Sequence, residues 1–206
     1  MNTEHESDFE LERPRTYRKT TRAASEQATG DAILEAALRA FSSEPFDRVT
    51  LQQIAERSGV TVQTVIRRFG SKEGLFETLV ERESRRVVAS REAGPDADLP
   101  AALKALLDHY EHDGDAVLNF VAQERLFDPV RAVVERGRRV HREWVERHCG
   151  GILAGTRGRT RRRRLHAAIL ITDLSSWKLL RRDLGLDQRE VAAVMTELLH
   201  ALERRD

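Results

Sequence analysis

His109 and His112 stand three residues apart, beside Asp113 and Asp115. On a helix that spacing puts two imidazoles on one face, where they can hold zinc. No second well-spaced group of ligands accompanies them, and the sequence is read as having no metal site and no cofactor. Cys149 follows His148, a pairing that can lower a thiol's pKa, but a single thiol near a helix end is ordinarily inert. Ser175-Ser176 lacks the glycines of a nucleophile elbow, and no phosphate-cradling glycine loop occurs. No catalytic set assembles, so the chain is not read as an enzyme. Another group of side chains is better spaced for chemistry: Thr61, Val62, Gln63 and Thr64, then Arg67, Arg68 and Lys72, with Thr50 upstream. Glutamine can bond adenine, a valine can touch a thymine methyl, and arginine can reach guanine or phosphate.

These residues need an element that presents them. Thr50-x-x-Gln53 is a capping-box pattern, followed by Leu51, Ile54 and Ala55 on one face. Gly59 suits the left-handed closure of a short helix. Thr61 can cap a second helix with Val65 and Phe69 inward. Ala55 lies four before Gly59 and Val65 six after it. A small residue at the crossing, a turn without a Cβ and an apolar lock make a helix-turn-helix. In that geometry the start of the second helix meets base edges in the major groove. Thr50 and Lys72 stand at helix starts, where backbone N–H groups favour phosphate.

Before this unit, Ile33, Leu34, Ala37, Leu38 and Phe41 repeat with helical period, capped by Thr29 or Asp31 and ended by Pro45. After it, Ser71 caps a helix with Leu75, Phe76, Leu79 and Val80 inward. Residues 1–28 lack apolar periodicity and are read as a flexible arm, acidic and then basic. A turn-rich stretch near Gly94-Pro95 marks a boundary. The divisions expected are 1–28 for the arm, 29–92 for a helix-turn-helix domain and 93–206 for a second helical domain. That second domain shows stripes at Leu103–Tyr110 and, after a break at His112–Asp115, at Ala116–Val121. Further stripes run over Val130–Val145, Leu165–Leu180 and Val191–Leu202. The tract Arg157, Arg159, Arg161, Arg162, Arg163 and Arg164 is read as a solvated loop. Nothing alternates with period two, so the fold class expected is all-α, with about nine helices.

The 206 residues allow one or two domains, and 33 % charged residues cancel to a net charge of +1. Partners must therefore be read from the distribution of charge. One cysteine excludes an intrachain disulfide and no apolar run is long enough to span a bilayer. A cytoplasmic protein without membrane contact is the expectation.

Residues from about 29 to 80, about a quarter of the chain, resemble the DNA-binding domain of the tetracycline-repressor (TetR) family. The resemblance is carried by Ile33-Leu34-x-x-Ala37-Leu38-x-x-Phe41, by Thr50-Leu51-x-x-Ile54-Ala55-x-x-Ser58-Gly59-Val60, by Val65, and by Phe69-Gly70-Ser71-Lys72-Glu73-Gly74-Leu75. It implies a homodimer that binds a near-palindromic operator and releases it when a small molecule binds. Three positions depart from the family pattern. Ile66 stands where an aromatic is common, Arg67 where histidine is common, and Gly70 where proline is common.

The resemblance also places a dimer interface on the last two long helices, with Ile169, Leu170, Leu174, Leu179 and Leu180 preceding the final stripe. Ligand contacts are expected from Tyr110, Asn119, Phe120, Gln123, His141, Trp144, His148, Asp173 and Trp177, whose mix of rings and apolar groups fits a lipophilic or aromatic effector. The function expected is that of a ligand-responsive repressor. The alternative is an activator, or a nucleoid-type DNA binder without an effector.

Overall fold

Helix-favouring residues start the molecule earlier than apolar periodicity suggests. The computed structural model describes residues 15–91 and 98–203, and its first helix, α1, runs Arg15–Ser43. Residues 15–28 of the expected arm are therefore helical; residues 1–14 lie outside the described residues. The stretch carries no apolar stripe because residues 24–28 face solvent, yet its Arg, Lys, Ala and Gln are good helix formers. Thr29, expected as a cap, sits mid-helix and donates back to Ser25 O at 2.9 Å.

Capping fixes the next three elements. Gln53 N donates to Thr50 Oγ1 at 3.2 Å and Thr50 N donates to Gln53 Oε1 at 2.9 Å, opening α2 (Leu51–Ser58). Gly59 closes it at φ 70°, a conformation that costs other residues a Cβ clash. Thr61 caps α3 (Val62–Phe69) through Thr64 N. Ser71 Oγ accepts from Gly74 N at the start of α4 (Lys72–Arg91). Ile33, Ala37, Phe41, Phe46, Val49, Ile54, Ala55, Val65, Leu75, Phe76 and Leu79 are buried in one core. Each large side chain among them contributes about 1.5–3 kcal/mol by leaving water. Phe41, Phe46 and Phe76 pack ring to ring at 4.9–5.5 Å.

The remainder is α5 (Leu99–Gln123), α6 (Asp128–His148), α7 (Gly150–Leu153), α8 (Gly158–Thr172), α9 (Leu174–Lys178), a π-helical turn at Leu179–Asp183, and α10 (Gln188–Glu203). No strand occurs among the described residues, and the all-α class holds.

Three local expectations change. First, α5 runs unbroken through His112–Asp115, because Gly114 is a packing residue and not a stop. An added Cβ there would come within 2.6 Å of the Trp177 ring. Second, the arginine tract is helical from Gly158 onward, since arginine is a strong helix former and Arg164 donates to Ile152 O at 3.1 Å. Third, the stripe Leu165–Leu180 is not one helix. Asp173 turns extended (φ −66°, ψ 151°) and its carboxylate accepts from Ser175 N, capping α9.

A second core gathers Leu103, Leu106, Leu107, Trp144, Ile152, Leu165, Trp177, Val191, Met195 and Leu199. The first core crosses the expected 92/93 boundary, because Val130 and Val134 of α6 are buried in it and Phe120 packs on it.

Candidate nucleic-acid interface and internal cavity

α3 shows its outer side to solvent by a simple division of labour. Val65 is fully buried, and Val62 and Phe69 pack half-buried on the core. That leaves Gln63, Ile66, Arg67 and Arg68 exposed. Gln63 and Arg67 have no hydrogen-bond or ionic partner among the described residues. Thr61 and Thr64 spend part of their capacity on each other, Oγ1 to Oγ1 at 3.0 Å. Thr50 is exposed and engaged in its capping box.

Three expected contact residues have other neighbours. The Arg68 guanidinium lies across α1, so that a Cβ on Gly30 would meet Nη2 at 2.3 Å, and it stands 5.9 Å from the Phe69 ring centroid. Lys72 Nζ donates to Phe46 O at 2.9 Å and Val49 O at 3.2 Å, over the Phe46 ring. It pins the loop that precedes α2 and is not an outward phosphate ligand. Val62 leans into the core and offers only part of its surface. Of the basic flank, Arg67 alone is both outward and without a described partner.

Two expected ligand contacts are likewise pins. Gln123 Oε1 accepts from Phe46 N at 2.7 Å, and Asn119 Nδ2 reaches Phe41 O and Ser42 O at 3.5 and 3.4 Å. Together they fasten the end of α5 to the end of α1. Trp177 is fully buried, donates to Glu111 Oε1 at 3.0 Å and carries the Arg182 guanidinium 4.5 Å from its ring centroid. Trp144 stacks on His141 and tilts against His148. None of these five residues is in the wall of the cavity between α4, α5 and α6.

A cavity of about 270 Å³ lies between α1 and α4 on one side and α5, α6 and the start of α9 on the other. Tyr110, Phe120, His141 and Asp173 line it as expected, together with Phe76, Leu79, Val80, Val87, Val117 and Val140. Tyr110 Oη donates to Thr172 O at 3.1 Å. Thr172 Oγ1 donates to Ala168 O at 2.8 Å and lies 3.2 Å from His141 Nε2.

The sequence reading missed the polar wall of this cavity: Glu83, Arg86, His109 and Asp113. Arg86 bonds Glu83 Oε2 at 2.7 Å and Asp113 Oδ1 at 2.8 Å, and His109 Nδ1 stands 3.0 Å from Asp113 Oδ2, off the ideal N–H direction. Burial pushes the Asp113 carboxyl up, but His109 and Arg86 outweigh it and hold the group below its ordinary range. The only signal in the sequence was the helical spacing of Glu83 with Arg86 and of His109 with Asp113.

His112 is exposed while His109 is buried, so the two imidazoles do not converge. Among the described residues no three His, Cys, Asp or Glu side chains gather as a metal site would need. Cys149 is buried, and burial with the nearby Glu203 carboxylate raises its thiol to about 11, so it is no thiolate. No described helix is long and apolar enough to cross a membrane.

Residues 33–79 match the family model for bacterial regulatory proteins of the tetR family. Over 105 residues, half of this chain, the sequence is 28 % identical to an uncharacterized HTH-type transcriptional regulator, YvkB of Bacillus subtilis. That match spans only 56 % of the relative's length. A TetR-like transcriptional regulator from Rhodococcus superimposes with a TM-score of 0.65 at 18 % identity, over 94 % of this chain and 100 % of that one. A tetR-family regulator from Streptomyces coelicolor gives 0.63 at 18 %, over 85 % and 79 %. At such identities the likeness speaks for the fold alone. The family model falls on α1 to α4, where the capping box, the left-handed Gly59 and the buried Val65 are found, and over residues 33–79 the chain is similar to the tetR family of bacterial regulatory proteins.

Proposed function

We propose that the chain is a homodimeric, sequence-specific DNA-binding regulator, a repressor that leaves its operator when a small lipophilic molecule enters the cavity. One observation carries this reading. The apolar side of α3 is sealed on the core while Gln63 and Arg67 stand outside without described partners. Gln63 reads a base edge; Arg67 takes guanine or phosphate; Thr61 and Thr64 set the end of α3 against the backbone. Arg68, Lys72 and Val62 act behind them by holding α3 and the loop before α2 in place.

Exposed apolar side chains on the last helices support the dimer. Leu170 is 68 % exposed and Leu198 48 %, with Leu179 at 51 % in the π-helical turn between them in sequence. Pairing α8 and α10 across a twofold axis covers them. The axis sets two reading heads about one DNA turn apart, ~34 Å, or a multiple of it. The division at 92/93 is kept as one of tasks and not of cores, since α6 packs into the first core, with α4 reaching from the reading head to the cavity wall.

A gel-shift titration against DNA upstream of the gene, with random DNA as competitor, tests the reading. Preference for the upstream sequence is expected. Equal binding to both would refute sequence-specific regulation and favour a nucleoid-type binder.

A further inference from the structure

The charges on the cavity wall differ in how firmly they are held. A chain of ion pairs runs from Glu35 on α1 through Arg82, Glu83 and Arg86 on α4 to Asp113 on α5, with contacts of 3.7, 2.9, 2.7 and 2.8 Å, and His109 Nδ1 stands 3.0 Å from Asp113. Its carboxylates at the cavity are the enclosed members: the Glu83 side chain is 17 % exposed and Asp113 21 %, against 45 % for Arg86 between them. Both carboxylates also keep a second partner, Arg82 for Glu83 and His109 for Asp113. Arg86 is thus the one link that can leave for water at small cost, because its guanidinium is already half solvated.

We infer that the cavity selects a lipophilic molecule carrying one cationic nitrogen, which replaces Arg86 between Glu83 and Asp113; this rests on the proposed role of the cavity as the effector site. A cation entering there meets two enclosed carboxylates, each of which loses one of its two partners when Arg86 leaves. Phe76, Phe120 and Tyr110 line the same space and offer ring faces to it. An anion drawn to Arg86 would stand beside those carboxylates in a partly dry site, where like charges repel strongly. Arg136 and Arg138 also line the cavity, from the exposed face of α6, and Arg138 is already taken by Glu124 through two bonds of 2.6 and 3.0 Å. Asp173, across the cavity, adds a third carboxylate. When Arg86 leaves Asp113, α4 loses this ionic tie to α5. α4 follows directly on α3, so the exchange of one cation for another is felt at the DNA-reading helix.

Three probes with one hydrocarbon and different heads test the inference on the full chain by titration calorimetry: 4-phenylbutylamine, 4-phenylbutanol and 4-phenylbutyrate. A charge-assisted hydrogen bond predicts that the amine binds about tenfold more tightly than the alcohol, and the acid more weakly than either. Asp113→Asn should remove the amine's advantage and leave the alcohol unchanged. Arg86→Gln should tighten the amine several-fold, since the ligand no longer has to displace the guanidinium. Gly137→Trp, which fills open space at the cavity wall, should weaken all three. Tightest binding of the acid, weaker amine binding by Arg86→Gln, or no binding of the amine would overturn the inference. A parallel gel shift with the amine keeps the two readings apart. If the amine binds as described and operator affinity is unchanged, the cavity chemistry stands and the effector role falls.

Discussion

Two glycines inside long helices, Gly114 in α5 and Gly137 in α6, should respond to the same substitution with opposite signs. In both, Gly→Ala removes backbone freedom from the unfolded chain and gains ~1 kcal/mol of helix propensity. At Gly137 a Cβ meets nothing within 4 Å, so most of that gain is kept. At Gly114 the Cβ would stand 2.6 and 2.7 Å from two carbons of the Trp177 ring. Ordinary contact is ~3.5–4.0 Å, so the ring must retreat by about 1 Å. Trp177 is fully buried and held by Glu111 and Arg182, and it has little room to do so. Overpacking of this kind costs ~1–3 kcal/mol. Taking the upper part of that range against the propensity gain leaves a net loss of ~1–2 kcal/mol. For a chain of this size, ~2–4 °C per kcal/mol gives a fall of ~2–8 °C for Gly114→Ala, and Gly137→Ala should rise by ~1–4 °C. Thermal melts at one fixed protein concentration, with urea unfolding alongside, measure both. A Gly114→Ala protein at least as stable as the parent would refute the claim that Trp177 is immovable. Shifts of the same sign in both variants would refute the use of local space to decide between them.

Gln63→Ala should change discrimination by about 1–3 kcal/mol at one operator position, read from gel shifts on single-base variants. An unchanged operator preference would remove Gln63 from the base-reading set. Lys72→Met should weaken all sequences alike by freeing the Phe46–Val49 loop, and should lower the melting temperature without DNA; lost DNA affinity at unchanged stability would restore a direct phosphate contact. Cys149, with its thiol raised to about 11, should stay unlabelled by a thiol reagent at pH 8 until denaturant is added; rapid native labelling would contradict its burial. Asp113 is held below its ordinary range. Its contribution is therefore fully present above the unfolded carboxylate pKa of ~3.9 and is lost as pH falls through the lower folded value. Asp113→Asn should flatten the acid limb of the stability curve, and an unaltered limb would show the ion pair to be energetically silent.

The reading head was legible because its signals are local. Thr50 with Gln53, Gly59 and Thr61 each fix a cap through neighbours within four residues, and Ile33, Ala37 and Phe41 mark a helix face by spacing alone. The start of α1 was not legible, since residues 15–28 carry no apolar stripe and residues 24–28 face solvent. Gly114 looked like a break because the residue it must accommodate, Trp177, lies 63 positions away. The ligand wall was only half legible for a related reason. Rings and amides can be counted in a sequence, but Asn119 and Gln123 were claimed by carbonyl and amide groups of the Phe41–Phe46 segment. Arg86 and Asp113, 27 residues apart in the chain, looked like ordinary surface charges until α4 and α5 were laid side by side. Arg67 and Arg68 are adjacent and chemically alike, and only the close approach of α1 at Gly30 separates their tasks.

Phe76 and Leu79 do two jobs at once: they fill the interior on which α2 and α3 rest, and they form a wall of the chamber behind it. Any change there that retunes which molecule is admitted also disturbs the footing of α3. Under the proposed function, the shape of the chamber is therefore easier to vary from the opposite wall at Gly137 and Val140, which lie outside the first core that Val130 and Val134 of the same helix help to fill.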